Sequence, residues 1–189
     1  MSFFDNAKTV TFAGKVVAKL ELAGKKIWEA IKFTNQVPIS TDTDGSIYNG
    51  VGYKENVRLS SSGGISSSAQ NGSVTTGFIP FPSGDATVIR MKGVKWKTAT
   101  ADHNGHYYIN FYDSSKKFLV YTSSQEHANN SHVITVTRDT NGVETVGFSK
   151  TYGNTNDFLN KVRNNAKFIR INAYGKGSDM IVTINEEIT

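Results

Sequence analysis

The stretch AKFIRINAYGKGSDMIVTINEEIT, residues Ala166–Thr189, contains the pattern that decides the fold. In Lys167–Tyr174, apolar side chains alternate with polar or aromatic ones, so that one face of an extended chain is apolar and the other is not. Met180–Glu186 is a second strand candidate, and Gly175 and Gly177 predict a turn between the two. This end of the chain therefore predicts antiparallel strands with one sealed face and one polar, aromatic face.

The same kind of segment recurs through the C-terminal half. Further strand candidates are Val74–Phe81, Thr87–Trp96, His106–Asp113, Lys117–Thr122, His132–Arg138 and Val143–Phe148. Asp113–Lys116 and Asp139–Gly142 predict hairpin turns, and Asn156–Ala166 is the one helix candidate. About eight or nine short strands with a single helix predict an all-β fold, a jelly-roll-type antiparallel β-sandwich with one short helix, preceded by a small N-terminal β extension. The alternation predicts that Ile109 and Ile171 face its core.

Residues 1–34 form the predicted extension, and residues 35–189 form the predicted sandwich. The triplet Ala-Gly-Lys occurs at Ala13–Lys15 and again at Ala23–Lys25, and each copy predicts a tight turn between short strands. Such a small β-meander buries too little surface to be stable alone, so its strands either join the main sheet or dock on another chain. For docking or oligomerisation, the candidate residues are Phe12, Leu20, Leu22, Ile27 and Trp28.

The region between the extension and the strong β pattern predicts irregular structure. Thr34–Pro38 is typical of a linker, and Ser40–Val74 is rich in serine and glycine. Within it, Ser60–Ser68 (SSSGGISSS) predicts an extended surface loop or an ordinary connector. The β pattern strengthens only from Val74 onward.

Composition excludes several classes of protein. The 189 residues fit one domain with an appendage, and the absence of cysteine excludes disulfides and thiolate chemistry. The formal net charge of +5 comes mostly from residues 1–35, which hold six lysines against three acidic side chains, and no block rich in lysine or arginine indicates nucleic-acid binding. No apolar run of membrane-spanning length occurs, and MSFFDNAKTV lacks the pattern of a secretory signal peptide. We therefore expect synthesis in a cytoplasm, with neither nucleic acid nor membrane as a partner.

The sequence carries no motif for catalysis, a metal or a cofactor. His103 and His106 lack the further ligands that zinc requires, and Asp42–Gly45 holds only part of a calcium-binding loop. Glu186 and Glu187 are adjacent, so a strand would turn them to opposite faces and prevent a catalytic carboxylate pair. We therefore predict a protein that is not an enzyme and that binds no metal and no cofactor.

A binding surface is predicted on the strand faces that point away from the core. The candidates that share this position are Arg90, Lys92, Trp96, Tyr108, Asn110, Tyr112, Arg170, Asn172 and Tyr174. Aromatic rings cover the apolar C–H face of a pyranose, while amide and guanidinium groups hydrogen-bond its hydroxyl groups, so this surface suits a glycan. The alternative is cross-strand pairing of the tyrosines on a solvated sheet or at a subunit interface, which needs no ligand.

Several blocks of sequence resemble structural proteins of tailed phages and prophages of Gram-positive gut bacteria. They lie between residues 35 and 189 and are Asn35–Ser40, Ile47–Lys54, Thr76–Pro80, Ile89–Gly93, Phe111–Lys116, Phe168–Gly175 and Asp179–Glu187. The extension is similar to the short β repeats that precede such modules in phage tail and fibre proteins.

The resemblance implies a virion structural protein, made in the cytoplasm of a bacterial host, with a β-sandwich similar to carbohydrate-binding modules on tails, fibres or capsids. It further implies attachment to capsid, tail or baseplate proteins, assembly as a homo-oligomer, and a cell-surface polysaccharide as the ligand in host attachment. The chain is short and has no fibrous repeat, so a head-fibre or capsid decoration protein fits its size equally well. We therefore expect either glycan binding on the virion or stabilisation of the particle without sugar binding.

Overall fold

The described part of the chain is built mostly from β-strands. The computed structural model describes residues 33–60, 62–82, 87–95, 108–123, 134–148 and 161–188, some of them by their backbone only, and the backbone of four short strands before them. The four early strands are β1 (Thr11–Phe12), β2 (Lys15–Val16), β3 (Lys19–Leu22) and β4 (Lys25–Glu29). The later strands are β5 (Tyr53–Leu59), β6 (Ile65–Thr76), β7 (Ile79–Pro80), β8 (Ile89–Lys92), β9 (Val94–Lys95), β10 (Tyr108–Tyr112), β11 (Phe118–Ser123), β12 (Ile134–Arg138), β13 (Glu144–Phe148), β14 (Phe168–Gly175) and β15 (Ile181–Ile184). The described helical segments are short turns at Tyr48–Gly50, Lys161–Asn165 and Gly177–Asp179.

The later strands form two antiparallel sheets. The larger sheet has the order β11-β10-β14-β6-β5, with β7 and β9 also pairing with β14, and the smaller sheet has the order β12-β13-β8-β15. Both sheets contribute side chains to one hydrophobic core. The predicted all-β, antiparallel sandwich is therefore confirmed. Of the predicted helix at Asn156–Ala166, residues 161–165 form a π-helical turn, whereas residues 156–160 lie outside the described residues.

The core is made by the inward half of each alternating strand. Ile109 of β10 and Ile171 of β14 are paired across the larger sheet, and both are 0% exposed, as the alternation predicts. Met91 and Val182, which are paired in the smaller sheet, are equally buried in the same cluster. Burying one such side chain contributes about 1.5–3 kcal/mol relative to leaving it exposed. The alternate residues of β10 and β14 consequently point to the opposite face of the larger sheet.

Residues 34–37, predicted to belong to a linker, instead bind the edge of the smaller sheet. The Gln36 amide donates to the Val182 carbonyl at 2.8 Å, and the Val182 amide donates to the Asn35 side chain at 3.0 Å. Val37 is buried in the core. An edge strand such as β15 has unpaired donors and acceptors, which explains why this segment docks there. The linker prediction is therefore wrong, and the extension leads into a firmly held segment.

The serine- and glycine-rich region contains a long hairpin rather than a loop. β6 begins at Ile65 and pairs with β5, so the surface loop predicted at Ser60–Ser68 is reduced to a turn between Ser60 and Gly64, which we call the hairpin tip. The pairing of β5 with β6 shifts register twice, which marks β-bulges, and bulges bend a strand. As a result the larger sheet curls, and the hairpin tip contacts β10, although two strands separate β5 from β10 in the sheet.

The extension forms two separate hairpins. β1 pairs with β2, and β3 pairs with β4, each as a two-stranded antiparallel sheet. Among the described strands, none of these four joins either sheet of the sandwich. The side chains predicted to dock on a partner lie outside the described residues; they are Phe12, Leu20, Leu22, Ile27 and Trp28.

Gly52 lies in the turn before β5, at a point where a larger residue does not fit. Its φ of +82° is in the left-handed region, and a Cβ atom added there would lie 1.7 Å from the Val37 carbonyl oxygen. Gly50 has a similar φ of +74° but open space around it. We expect Gly50→Ala to lower the free energy of unfolding by about 1 kcal/mol through its backbone conformation, and Gly52→Ala to lower it by about 2–3 kcal/mol more because the backbone must shift. Equal losses for the two variants in urea denaturation would contradict this packing.

Candidate functional site

Four of the predicted glycan-binding side chains are buried by the chain itself. Asn110 and Asn172 are 0% exposed, Tyr112 is 2% exposed and Arg170 is 7% exposed. They lie on the face of β10 and β14 that points away from the core, where the hairpin tip contacts Asn110 and Tyr112, and residues of β5, β6 and the neighbouring loops contact Asn172 and Arg170. These four side chains are therefore covered in this structure, and glycan contact through them stays a prediction that would require the cover to move. We call this buried set the polar layer; it consists of Asn110, Tyr112, Arg170 and Asn172 together with Ser73 and Thr75, which share the same face on β6.

The other predicted glycan-binding residues whose side chains the structure describes are half-buried and are not counted in this layer. Arg90 and Lys92 are half-buried on β8 of the smaller sheet. Tyr174 is half-buried near the end of β14. Trp96 and the side chain of Tyr108 lie outside the described residues. The candidates that the structure describes therefore belong to two different sheets rather than to one surface.

Two side chains of the polar layer fasten the hairpin tip. The Asn110 amide nitrogen donates to the Ser60 carbonyl at 2.9 Å, and the Tyr112 hydroxyl donates to the Gly63 carbonyl at 2.7 Å. Gly63 has a φ of +91°, and a Cβ atom added there would lie 2.5 Å from the Phe118 ring. The tip is thus held by two hydrogen bonds and by a contact that only glycine permits.

Side chains of the polar layer also hydrogen-bond the backbone carbonyl at the bulge that bends β5. The register of β5 against β6 shifts on both sides of Val57, and the Val57 carbonyl accepts hydrogen bonds from three side chains. The donors are Ser73 Oγ at 2.8 Å, Thr75 Oγ1 at 3.0 Å and Asn172 Nδ2 at 3.3 Å. Asn172 Nδ2 also lies 3.1 Å from the Val74 carbonyl oxygen. Because a bulge disrupts the regular ladder and a buried carbonyl needs a donor, this face requires polar side chains for structural reasons alone.

Arg170 is a buried cation held between two aromatic rings. Its guanidinium carbon lies 4.9 Å from the centre of the Tyr48 ring and 5.0 Å from the centre of the Phe78 ring. Its Nε atom donates to the Thr76 carbonyl at 3.0 Å. Among the described residues, no carboxylate forms a salt bridge with Arg170. The faces of aromatic rings attract cations, so the two rings offset part of the cost of burying this charge.

Lys116 approaches the same aromatic cluster from the turn between β10 and β11. Its Nζ atom lies 5.0 Å from the centre of the Phe78 ring and 5.5 Å from the centre of the Phe168 ring, and it donates to the Asp42 carbonyl. Phe78 therefore contacts two cations, Lys116 and Arg170. The sequence alone does not predict this cluster, because its members come from segments far apart in the chain and no local pattern indicates their contact.

The burial of Tyr112 can be tested by titration, because burial changes the pKa of its phenol. Burial raises the pKa of its phenol above the ordinary value of 10.0, although the nearby Arg170 guanidinium opposes the shift. Since tyrosine in the unfolded state ionises at the lower pH, stability should fall as the pH rises above about 10. Alkaline ultraviolet titration should show a late-ionising tyrosine that is missing in Tyr112→Phe. If removing Tyr112 subtracts an early-ionising group instead, the phenol is not buried.

No metal centre is present within the described residues. They contain no group of three His, Cys, Asp or Glu side chains that could hold a metal ion. In the partial calcium loop, the Asp44 carboxylate accepts hydrogen bonds from the Ser46 amide and hydroxyl, which lower the pKa of Asp44. No helix in the described part of the chain is long and apolar enough to cross a membrane.

An exposed apolar patch lies in the loop before β5. Ile39, Ile47 and Val51 are 50%, 43% and 48% exposed, and we call these three residues the loop patch. Backbone hydrogen bonds from the Tyr48 amide to Ser40 and from the Val51 amide to Tyr48 hold them in one compact loop. Three exposed apolar side chains in one loop are candidates for contact with another protein.

Comparison with known proteins gives no relative: the chain matches no protein-family model, no curated protein and no solved structure.

Proposed function

We propose that this chain is a non-enzymatic structural protein of a tailed-phage particle. The observation that carries the proposal is the pair of hairpins formed by β1–β4, which pair only with each other among the described strands. Hairpins of this size are rarely stable alone, so they need a partner surface. The sequence resemblance to virion proteins supports a capsid, tail or baseplate protein as that partner. The proposed location is therefore the virion, after synthesis in the bacterial host cytoplasm.

The burial of the polar layer supports a decoration protein that stabilises the particle without binding sugar. Its side chains already hydrogen-bond the hairpin tip and the bulge at Val57, so a glycan could reach them only by displacing β5 and β6. The loop patch adds a surface for contact with a neighbouring virion protein or with another copy of the chain. Assembly as a homo-oligomer on the particle is consistent with both features.

Glycan binding is the second candidate, at the end of β14 that the hairpin tip does not cover. Tyr174 is half-buried there and pairs with Lys95 on β9, whose side chain is exposed. A tyrosine ring beside a lysine suits a sugar, because the ring covers C–H groups and the ammonium donates to hydroxyl oxygens. Binding of host-wall polysaccharide should then be lost in Tyr174→Ala and kept in Lys117→Ala, a surface control on another turn. Unchanged binding in Tyr174→Ala, or no binding by the native chain, would eliminate this candidate.

Deleting residues 1–34 should abolish attachment to particles and leave the sandwich folded. The reason is that the extension forms no sheet with the sandwich in the described strands, whereas residues 35–37 remain bound to β15. The measurement is cosedimentation of the full chain and of the truncated chain with purified phage particles, with the urea midpoint of each as a control for folding.

Mass spectrometry of the same purified particles tests the virion location itself. The protein should be present in a fixed ratio to the major capsid or tail protein. If the protein is made in the host during particle production but is absent from the purified particles, the virion assignment is wrong. A truncated chain that still decorates particles would instead show that the extension is not the anchor.

A further inference from the structure

Three polar atoms in the polar layer have no hydrogen-bond partner among the described residues. They are Asn110 Oδ1, Arg170 Nη2 and Asn172 Oδ1, and their residues are 0%, 7% and 0% exposed. Buried polar atoms are hydrogen-bonded in the great majority of cases, since each unpaired one costs about 1–3 kcal/mol. Three such atoms in one layer therefore point to a small partner molecule, which the described residues do not supply.

The hydrogen bonds of the two asparagines determine which amide atoms are unpartnered. Asn110 Nδ2 donates to the Ser60 carbonyl, and Asn172 Nδ2 donates to the Val57 and Val74 carbonyls. If oxygen and nitrogen were exchanged in either amide, the amide oxygen would face a backbone carbonyl oxygen, and neither atom can donate a hydrogen bond. The unpartnered atoms are therefore two acceptors from the asparagines and one donor from the arginine.

The three side chains are neighbours on one face of the larger sheet. Asn110 of β10 is directly opposite Arg170 of β14, and Asn172 lies two residues further along β14 on the same face. Side chains directly opposite each other have Cβ atoms about 4.5–5.5 Å apart, and diagonal neighbours are about 7–8 Å apart. This spacing allows one small molecule to reach all three groups, and the low exposure of the three residues means that such a molecule would be shielded from bulk solvent.

The three atoms together favour a neutral molecule that both donates and accepts. An anion would be attracted by Arg170 but repelled by the oxygens of Asn110 and Asn172, and a cation would be repelled by the guanidinium charge. Water can accept one hydrogen bond from Arg170 and donate one to each asparagine, which is the number of bonds that a buried water typically makes. We propose that the polar layer contains an internal water site that links β10 to β14.

This site goes beyond the proposed role on the particle, because it concerns only contacts inside the sandwich. It completes the hydrogen bonding of the covered face without a glycan or a partner chain. It also explains how Arg170 can be buried without a carboxylate: two aromatic rings, the Thr76 carbonyl, the Tyr112 hydroxyl and a water oxygen then surround its guanidinium group.

A high-resolution crystal structure of the full chain tests the proposal. The expected result is a well-ordered density peak within about 3.2 Å of Asn110 Oδ1, Arg170 Nη2 and Asn172 Oδ1, refined as an oxygen atom. A second crystal soaked in sodium bromide serves to separate water from an anion. An anomalous bromide peak at this position would overturn the proposal. So would the absence of density there, with the three groups bonded to each other.

Nuclear magnetic resonance provides a test in solution that needs no substitution. The Nδ2 protons of Asn110 and Asn172 should show cross-relaxation with a water molecule of long residence time. Asn164 is the control, because it is exposed in the π-helical turn and should show only short-lived water contacts. If all three asparagines behave alike, no internal water is bound in the polar layer.

Discussion

Replacing Ile171 with alanine should lower the free energy of unfolding by about 3–4 kcal/mol, one of the two largest effects expected for this protein. Ile171 is 0% exposed in β14, where it is paired with Ile109 inside the sandwich. Truncation to alanine removes buried apolar surface and leaves a cavity that the two sheets can fill only in part. Urea denaturation should show a lower midpoint with an unchanged slope.

Ile65→Ala is the matched control for this substitution. Ile65 also lies in a strand of the larger sheet, but it is 39% exposed. It should cost roughly 1 kcal/mol or less, since little buried surface is lost. Equal effects of Ile65→Ala and Ile171→Ala would mean that Ile171 does not face a packed core.

Replacing Asn172 with leucine should lower the free energy of unfolding by about 2–4 kcal/mol, although the two side chains are similar in size. Leucine cannot donate, so it removes both N–H donors of the Asn172 amide, which three acceptors share: the carbonyls of Val57 and Val74 and Thr75 Oγ1. The penalty is large because the acceptors stay buried and lose a donor, which costs more than removing both partners. Thermal and urea denaturation of the variant measure the loss.

Asn164→Leu is the control for the polar layer. Asn164 is exposed, so a change there should shift stability by only about 0.5 kcal/mol. If Asn172→Leu is as mild as Asn164→Leu, water must replace the lost hydrogen bonds. That result would mean that the outer face of β14 is open, as the sequence analysis expected.

The strands of the sandwich were predictable because the required information is local. The alternation in Lys167–Tyr174 identifies β14 and correctly places Ile171 in the core. The turn residues of Asp139–Gly142 identify the hairpin between β12 and β13 in the same way. Gly93 explains one difference: the predicted strand at Thr87–Trp96 is divided there into β8 and β9, and Gly93 has a φ of +80°.

The burial of the polar layer was not predicted because alternation shows that a strand has two faces, not whether the second face is covered. The cover comes from a contact between Ser60 and Asn110, and no local pattern specifies a contact over that distance in sequence. One signal was available. The outer positions of β10 hold asparagine and tyrosine rather than lysine or glutamate, which are the residues most strongly excluded from interiors.

The serine-rich strand was missed for a related reason. Serine and glycine favour turns, so Ser60–Ser68 lacks the composition of a strand. In the pairing of β6 with β5, Leu59 lies opposite Ile65 next to the hairpin tip. Further along, the pairing passes the bulge at Val57, whose carbonyl accepts hydrogen bonds from the polar layer. The sequence pattern left the outer face of β10 and β14 open because it did not predict the hairpin of β5 and β6, and that hairpin is what covers the face.

Hydrogen exchange of the side-chain amide protons of Asn110 and Asn172 tests the central claim most directly, namely that the hairpin of β5 and β6 covers the polar layer on the outer face of β10 and β14. Both Nδ2 groups are buried donors to backbone carbonyls, so their exchange should be strongly slowed relative to that of Asn164. Exchange of Asn110 and Asn172 as fast as that of Asn164 would contradict the account, because it would place this face of β10 and β14 in contact with solvent.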